Sequence, residues 1–154
     1  ARLGDESLAR DFGRWPDVRH LLCDPAGVFE APSLIADRWV REGVLLLNAS
    51  LTLSRFRVDI DPHQSRGHLP FWRPLMLRVV ETLLARDAPV VFLGFGAAAA
   101  DIFAAAGVGE GREGHVAYVQ RAHPAFADDV LGRENPFLLC NSYLEAMGGQ
   151  PVAW

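Results

Sequence analysis

Residues 43–53 read GVLLLNASLTL. The core of this stretch, VLLL at 44–47, is unbroken by charge, follows a glycine and ends at Asn48. That is the pattern of a short strand buried on both faces, not of an alternating, half-exposed one. Two further runs repeat it: VVFL at 90–93 stops at Gly94, and VAYV at 116–119 leads into Gln120, Arg121 and His123. Amphipathic helical stretches surround them. Leu8 and Phe12 share a face at 6–14; Leu34, Ile35 and Trp39 at 32–42; Leu75, Val79 and Leu83 at 74–85; Ile102 and Ala106 at 96–106; Phe137, Leu144 and Met147 at 136–147. Helices alternating with buried strands predict an α/β fold, a three-layer sandwich with a mostly parallel central sheet, as one domain over 1–154. Ligands of such sheets bind beyond the carboxyl ends of the strands, which directs attention to 47–50, 94–96 and 121–126. The longest stretch without a clear pattern, 53–69, follows the first of these ends, and long loops there tend to be functional.

Composition bounds the answer. The chain has 154 residues, 50% hydrophobic and 22% charged, and a mean hydropathy of +0.10. This suits one soluble domain and excludes a disordered chain or a mini-protein. No apolar run approaches the roughly 20 residues of a membrane span. Cys23 and Cys140 lie far apart with no CxxC and no histidine at metal spacing, so neither a disulfide framework nor a zinc site is indicated, and a reducing, cytoplasmic setting is expected. No charged-then-apolar leader is present, and the chain opens at Ala1, which leaves open a processed start or a piece of a longer polypeptide.

The net charge is −4, which argues against a generally basic nucleic-acid coat. Its distribution is uneven. All 15 basic residues are arginine, and Arg55, Arg57, Arg66 and Arg73 face only Asp59 and Asp61 within 54–73. A local basic loop on an acidic body can dock phosphate, although solvated surface arginines give the same pattern.

Asn48 at a strand end presents an amide donor and an acceptor on a short stem, suited to the edge of a pyrimidine; a local Asx turn or cap is the structural alternative. In RAHPAFADD, residues 121–129, Pro124 keeps His123 out of the α region at the sheet's edge. A neutral imidazole there can donate to developing oxyanion charge, or simply bond the backbone of a turn. Phe126 is a wedge for a base stack if exposed and ordinary core if buried. GFGAAA at 94–99 matches a dinucleotide fingerprint only superficially and reads as a close strand-to-helix turn. His63 and His68 lack the companions of a metal site. No GxSxG, HExxH or GxxxxGK[ST] pattern occurs.

Taken in order, these blocks resemble the uracil-DNA glycosylase family. GVLLLNASLTL resembles its strand-plus-asparagine segment, VVFLGFG at 90–96 its next strand, RAHP at 121–124 the start of its His-Pro-Ser-Pro-Leu loop, and PFLLCNSYLEAMGGQPVAW at 136–154 its closing helix and final tryptophan. The resemblance spans nearly the whole chain. It implies that Asn48 binds the uracil edge and that His123 donates to uracil O2 as charge grows on the leaving base. It implies base flipping in DNA, hydrolysis of the N-glycosidic bond, no metal and no organic cofactor. Arg55, Arg57 and Arg66 become phosphate contacts, Phe126 the wedge, DNA the partner and a monomer the expected state. The family's water-activating aspartate, its thymine-excluding tyrosine and its stacking phenylalanine have no counterpart here, and the matching part begins after them, so they are expected to precede Ala1. Ala125 stands where the family has a phosphate-binding serine, Phe126, Ala127 and Asp128 where it has Pro-Leu-Ser, and PHQSRGHLPFW at 62–72 matches its Ser-His-x-x-x-Gly-Trp element only loosely. Two alternatives stand beside the enzyme: a non-catalytic homologue that kept the fold to bind DNA or protein, and a small-molecule nucleoside or nucleobase enzyme.

Overall fold

A computed structural model describes residues 32–52, 68–126 and 133–154. Four helices and three strands follow in order: α1 (Pro32–Arg41), α2 (Leu69–Leu84), β1 (Val90–Phe95), α3 (Ala97–Ala105), β2 (Gly111–Glu113), β3 (Val116–Arg121) and α4 (Pro136–Ala146). The sheet order is β1-β3-β2. β1 and β3 run parallel, from Val90 opposite Val116 to Phe95 opposite Arg121. β2 pairs antiparallel with β3 through the tight turn at Gly114 and His115. The architecture is α/β with a small mixed sheet, and the two runs at 90–93 and 116–119 are its parallel pair, each extended to the residue before the connecting turn.

The core lies where α2 and α3 meet the sheet: Met76, Val80, Phe92, Ile102 and Tyr118 are buried together. Phe103 bridges Phe92 and Tyr118 with ring centroids 5.1 and 4.3 Å away. Side chains alternate along a strand, so Phe95 faces away from Phe92 and meets Phe137 of α4 at 6.3 Å. Phe137 in turn packs against Trp154 at 4.9 Å, and Trp154 against Trp39 of α1 at 5.5 Å. Asn141 fixes this corner by bonding both the N–H and the C=O of Val152 at 2.9 Å and the indole N–H of Trp154 at 3.1 Å.

Two expectations need correction. The helix expected over 74–85 starts earlier, at Leu69. Pro70 occupies the first turn, where its missing N–H costs nothing, and the His68 carbonyl accepts from both Phe71 and Trp72. Pro74 is therefore inside the helix and not its beginning. The run 44–47 is not a buried strand. Leu45 is 62% exposed, and Leu46 and Leu47 are exposed as well. An apolar run becomes a strand only when a neighbour takes up its backbone groups, and no described strand pairs with it. Its path is set from behind: Gly43 ends α1 at φ +90, with the Val44 N–H bonded to the Trp39 carbonyl at 2.9 Å and the Gly43 N–H to that of Val40 at 3.1 Å. The helix expected at 6–14 lies outside the described residues, as do residues 53–67 of the patternless stretch expected over 53–69; Leu69, its last residue, opens α2.

Candidate functional site at the carboxyl edge of the parallel strands

β1 and β3 end side by side, and the chain leaves each through a turn. After β1, Gly96 adopts φ +83, ψ 171, a conformation essentially reserved for glycine, and caps α3. Its N–H donates to the Arg121 carbonyl at 2.9 Å, and its own carbonyl accepts from Gln120 Nε2 at 3.1 Å. A β-carbon at Gly96 would sit 3.1 Å from His123 Cβ and 3.3 Å from its Cδ2. The first turn thus cradles the histidine of the second.

A partly buried polar chain supports this edge. The Tyr118 hydroxyl donates to Gln120 Oε1, while Gln120 Nε2 also reaches the Arg121 carbonyl at 2.8 Å. The pair crosses over Gly94, where a β-carbon would lie 2.6 Å from Gln120 Oε1 and 2.8 Å from the Tyr118 hydroxyl. Burial, reinforced by the Glu110 carboxylate, pushes the Tyr118 hydroxyl up to about 12, so it stays a donor.

His123, Pro124, Ala125 and Phe126 form a turn in which the Phe126 N–H donates to the His123 carbonyl at 2.7 Å. The Ala125 N–H donates to His123 Nδ1 at 3.1 Å. A nitrogen that accepts a hydrogen bond carries no proton, so the neutral ring holds its hydrogen on Nε2. The imidazole is exposed and offers that Nε2–H outward. Phe126 is 64% exposed, which decides between wedge and core in favour of an accessible ring.

Asn48 is exposed on the segment leaving α1. Its neighbour Ala49 packs against the core cluster, and Thr52 ties the segment to α2: its hydroxyl accepts from Trp72 Nε1 at 2.8 Å and shares a 2.7 Å hydrogen bond with His68 Nδ1. His123 and Phe126 are therefore brought into one turn, and Asn48 is held on a docked segment. Arg55, Arg57 and Arg66 lie outside the described residues.

Sequence reasoning missed Arg121. It is only 3% exposed, and its guanidinium bonds the Glu134 carbonyl through Nε and Nη2 at 3.2 and 2.9 Å, the Gln120 carbonyl at 2.7 Å and Glu110 Oε1 at 3.3 Å. Arg133 shares both Glu110 Oε1 and the Gln120 carbonyl at 3.3 Å. The one sequence signal was a charge one residue past an apolar strand run, with Gln120 between. Among the described residues no group of three or more His, Cys, Asp or Glu side chains is placed to hold a metal, and no helix is long and apolar enough to cross a membrane.

The chain is an α/β protein, and ligands of such proteins commonly bind beyond the carboxyl ends of the parallel strands, where the His123–Phe126 turn stands. No family model matches the chain. It is, however, 32% identical over 136 residues to the uracil-DNA glycosylase of Streptococcus pneumoniae (strain Hungary19A-6), covering 86% of this chain and 56% of that protein. It is 34% identical over 119 residues to the uracil-DNA glycosylase of Pediococcus pentosaceus, covering 76% of this chain and 47% of that protein. The chain is a divergent member of the uracil-DNA glycosylase family, and it spans about half the length of these curated relatives.

Proposed function

We propose that this chain builds the base-reading and anion-stabilising part of a DNA glycosylase site that acts on uracil or a related damaged base. The observation that carries the reading is the Ala125 N–H bonded to His123 Nδ1, which commits the Nε2–H to an outside acceptor. The flipped base offers its O2. As the glycosidic C1′–N1 bond breaks, its electron pair leaves with the base, and negative charge accumulates on O2; a fixed donor there is worth most in the transition state. Water then adds to the electron-poor sugar carbon, and the proton it loses balances the charge of the departed base, so the products are a sugar hydroxyl and the neutral base. Asn48 supplies an acceptor for N3–H and a donor for O4, the amide complement of the uracil edge. Arg55, Arg57 and Arg66 contact phosphate, Phe126 fills the gap left by the flipped nucleotide, and the protein works as a monomer on DNA without a cofactor.

The test is release of base from a labelled single-stranded oligonucleotide carrying one uracil, by the natural gene product. Activity is expected, and His123→Gln is expected to lower kcat about 10²- to 10³-fold, the usual cost of one oxyanion donor. Ala125 and Phe126 in place of serine and proline after His-Pro favour a second reading, a homologue that binds DNA without cleaving it. Tight oligonucleotide binding with no base release by the wild-type protein decides for that reading.

A further inference from the structure

The segment that leaves β3 at Ala122 comes back at Glu134, just before the N-cap of α4, and one buried side chain grips both stems. Arg121 closes β3, two residues before His123. Its Nε and Nη2 hold the returning Glu134 carbonyl at 3.2 and 2.9 Å, and its Nη1 holds the departing Gln120 carbonyl at 2.7 Å and Glu110 Oε1 at 3.3 Å. The backbone of the same residue is equally engaged: its carbonyl accepts from Gly96 N at 2.9 Å and from Gln120 Nε2 at 2.8 Å. Glu110 also binds Arg133 on the returning stem at 3.3 Å. One guanidinium therefore joins the end of β3, Glu110 just before β2 and the residue before the N-cap of α4, two residues from His123 in the chain. A planar five-donor fork can span these acceptors at once, and an ammonium cannot.

We propose that Arg121 is the positioning residue of the His123 turn: by clamping the stems of the loop it holds the Ala125 N–H on Nδ1 and so keeps the Nε2 proton aimed at the bound base. This rests on the reading of His123 as the anion-stabilising donor. Orientation of this kind acts on the transition state more than on ground-state binding, because a displacement of about 1 Å in a donor costs on the order of 10²-fold in rate.

The experiment compares Arg121→Lys, which keeps the charge and loses the fork, and Glu110→Gln, which keeps the acceptor and loses the charge, with the wild-type full chain. Steady-state kinetics on the uracil oligonucleotide are read beside two-bond 1H–15N spectra of the histidines, with His123 assigned from its absence in His123→Gln. In Arg121→Lys, kcat is expected to fall about 10- to 100-fold with KM changed less than about threefold, and His123 to lose the single Nε2–H pattern. Glu110→Gln is expected to show the same change in smaller measure. An unaltered His123 spectrum in a folded Arg121→Lys protein overturns the proposal, as does a fall in kcat matched by an equal rise in KM. Should Arg121→Lys fail to fold, Glu110→Gln carries the same two readouts, and they support or overturn the proposal in the same way. Lack of base release by the wild type defeats the glycosylase reading, while the spectra still decide what Arg121 does to the histidine.

Discussion

Replacing Gly96 by alanine is expected to damage stability and chemistry through two separable causes. Gly96 sits at φ +83, ψ 171, a region that costs a residue with a β-carbon of order 1–3 kcal/mol. The new methyl would also stand 3.1 Å from His123 Cβ, 3.3 Å from Cδ2 and 3.6 Å from Cα. Nothing at those distances is the loose end of a flexible chain, so the histidine turn must retreat by a few tenths of an ångström. Gly107→Ala provides the control, because Gly107 has φ +74 but nothing within 4 Å of the place its β-carbon would take. Urea unfolding is expected to show a loss of about 1–3 kcal/mol for Gly96→Ala and about 1–2 kcal/mol for Gly107→Ala. Single-turnover base release is expected to fall severalfold or more in Gly96→Ala alone. Equal activity of the two variants would falsify the claim that this turn cradles His123, and unchanged stability of Gly96→Ala would refute the assigned backbone cost.

Asn141→Ala removes the partner of the Val152 amide, the Val152 carbonyl and the Trp154 indole; a loss of about 2–4 kcal/mol is expected, since several groups are left unpaired, with early cleavage of the last residues by carboxypeptidase as the readout. Burial pushes the Cys140 thiol up to about 11, so it should resist thiol reagents at pH 8 in the folded protein and react on unfolding. The same shift sets a direction for stability. The proton is bound more tightly in the folded state, so its contribution is complete below the ordinary thiol value of 9 and is lost as pH rises from there toward 11. A Cys140→Ala variant that shows the same alkaline loss between pH 9 and 11 would assign it elsewhere.

How much of this could be read in advance depended on the distance over which each decision is made. VVFL at 90–93 and VAYV at 116–119 declared themselves as buried strands because continuous apolar runs record cover on both faces residue by residue, and they form the parallel pair. The Gly96 turn was legible for a similar reason, a glycine between a strand and an alanine-rich helix. The helix expected at 136–147 does begin at Pro136, but its cap was not read: the side chain of Asn135 accepts from the Phe137 N–H at 2.9 Å. GVLLLN carries the same apolar pattern as the two strands, yet 44–48 stays unpaired among the described residues. The pattern records a demand for cover, and pairing is supplied from elsewhere in the fold.

The site divides along the same line. His-Pro was visible, and with it a histidine barred from the helical region; the choice of tautomer was not, because it is made by the Ala125 N–H through the folded geometry of the turn. Arg121 was the least legible residue and the most consequential. In the sequence it is one of 15 arginines, one residue past an apolar run, and solvation is the ordinary fate of such a charge. Its burial makes sense only when the Glu134 carbonyl, the Glu110 carboxylate and the Gln120 carbonyl arrive together. A buried guanidinium left without those partners would destabilise the fold by several kcal/mol. The arginine can therefore be tolerated at the end of β3 only where residues 110, 120 and 134 meet it, and on the proposal above that same meeting fixes the His123 turn. Stability of the sheet edge and aim of the imidazole are then one constraint.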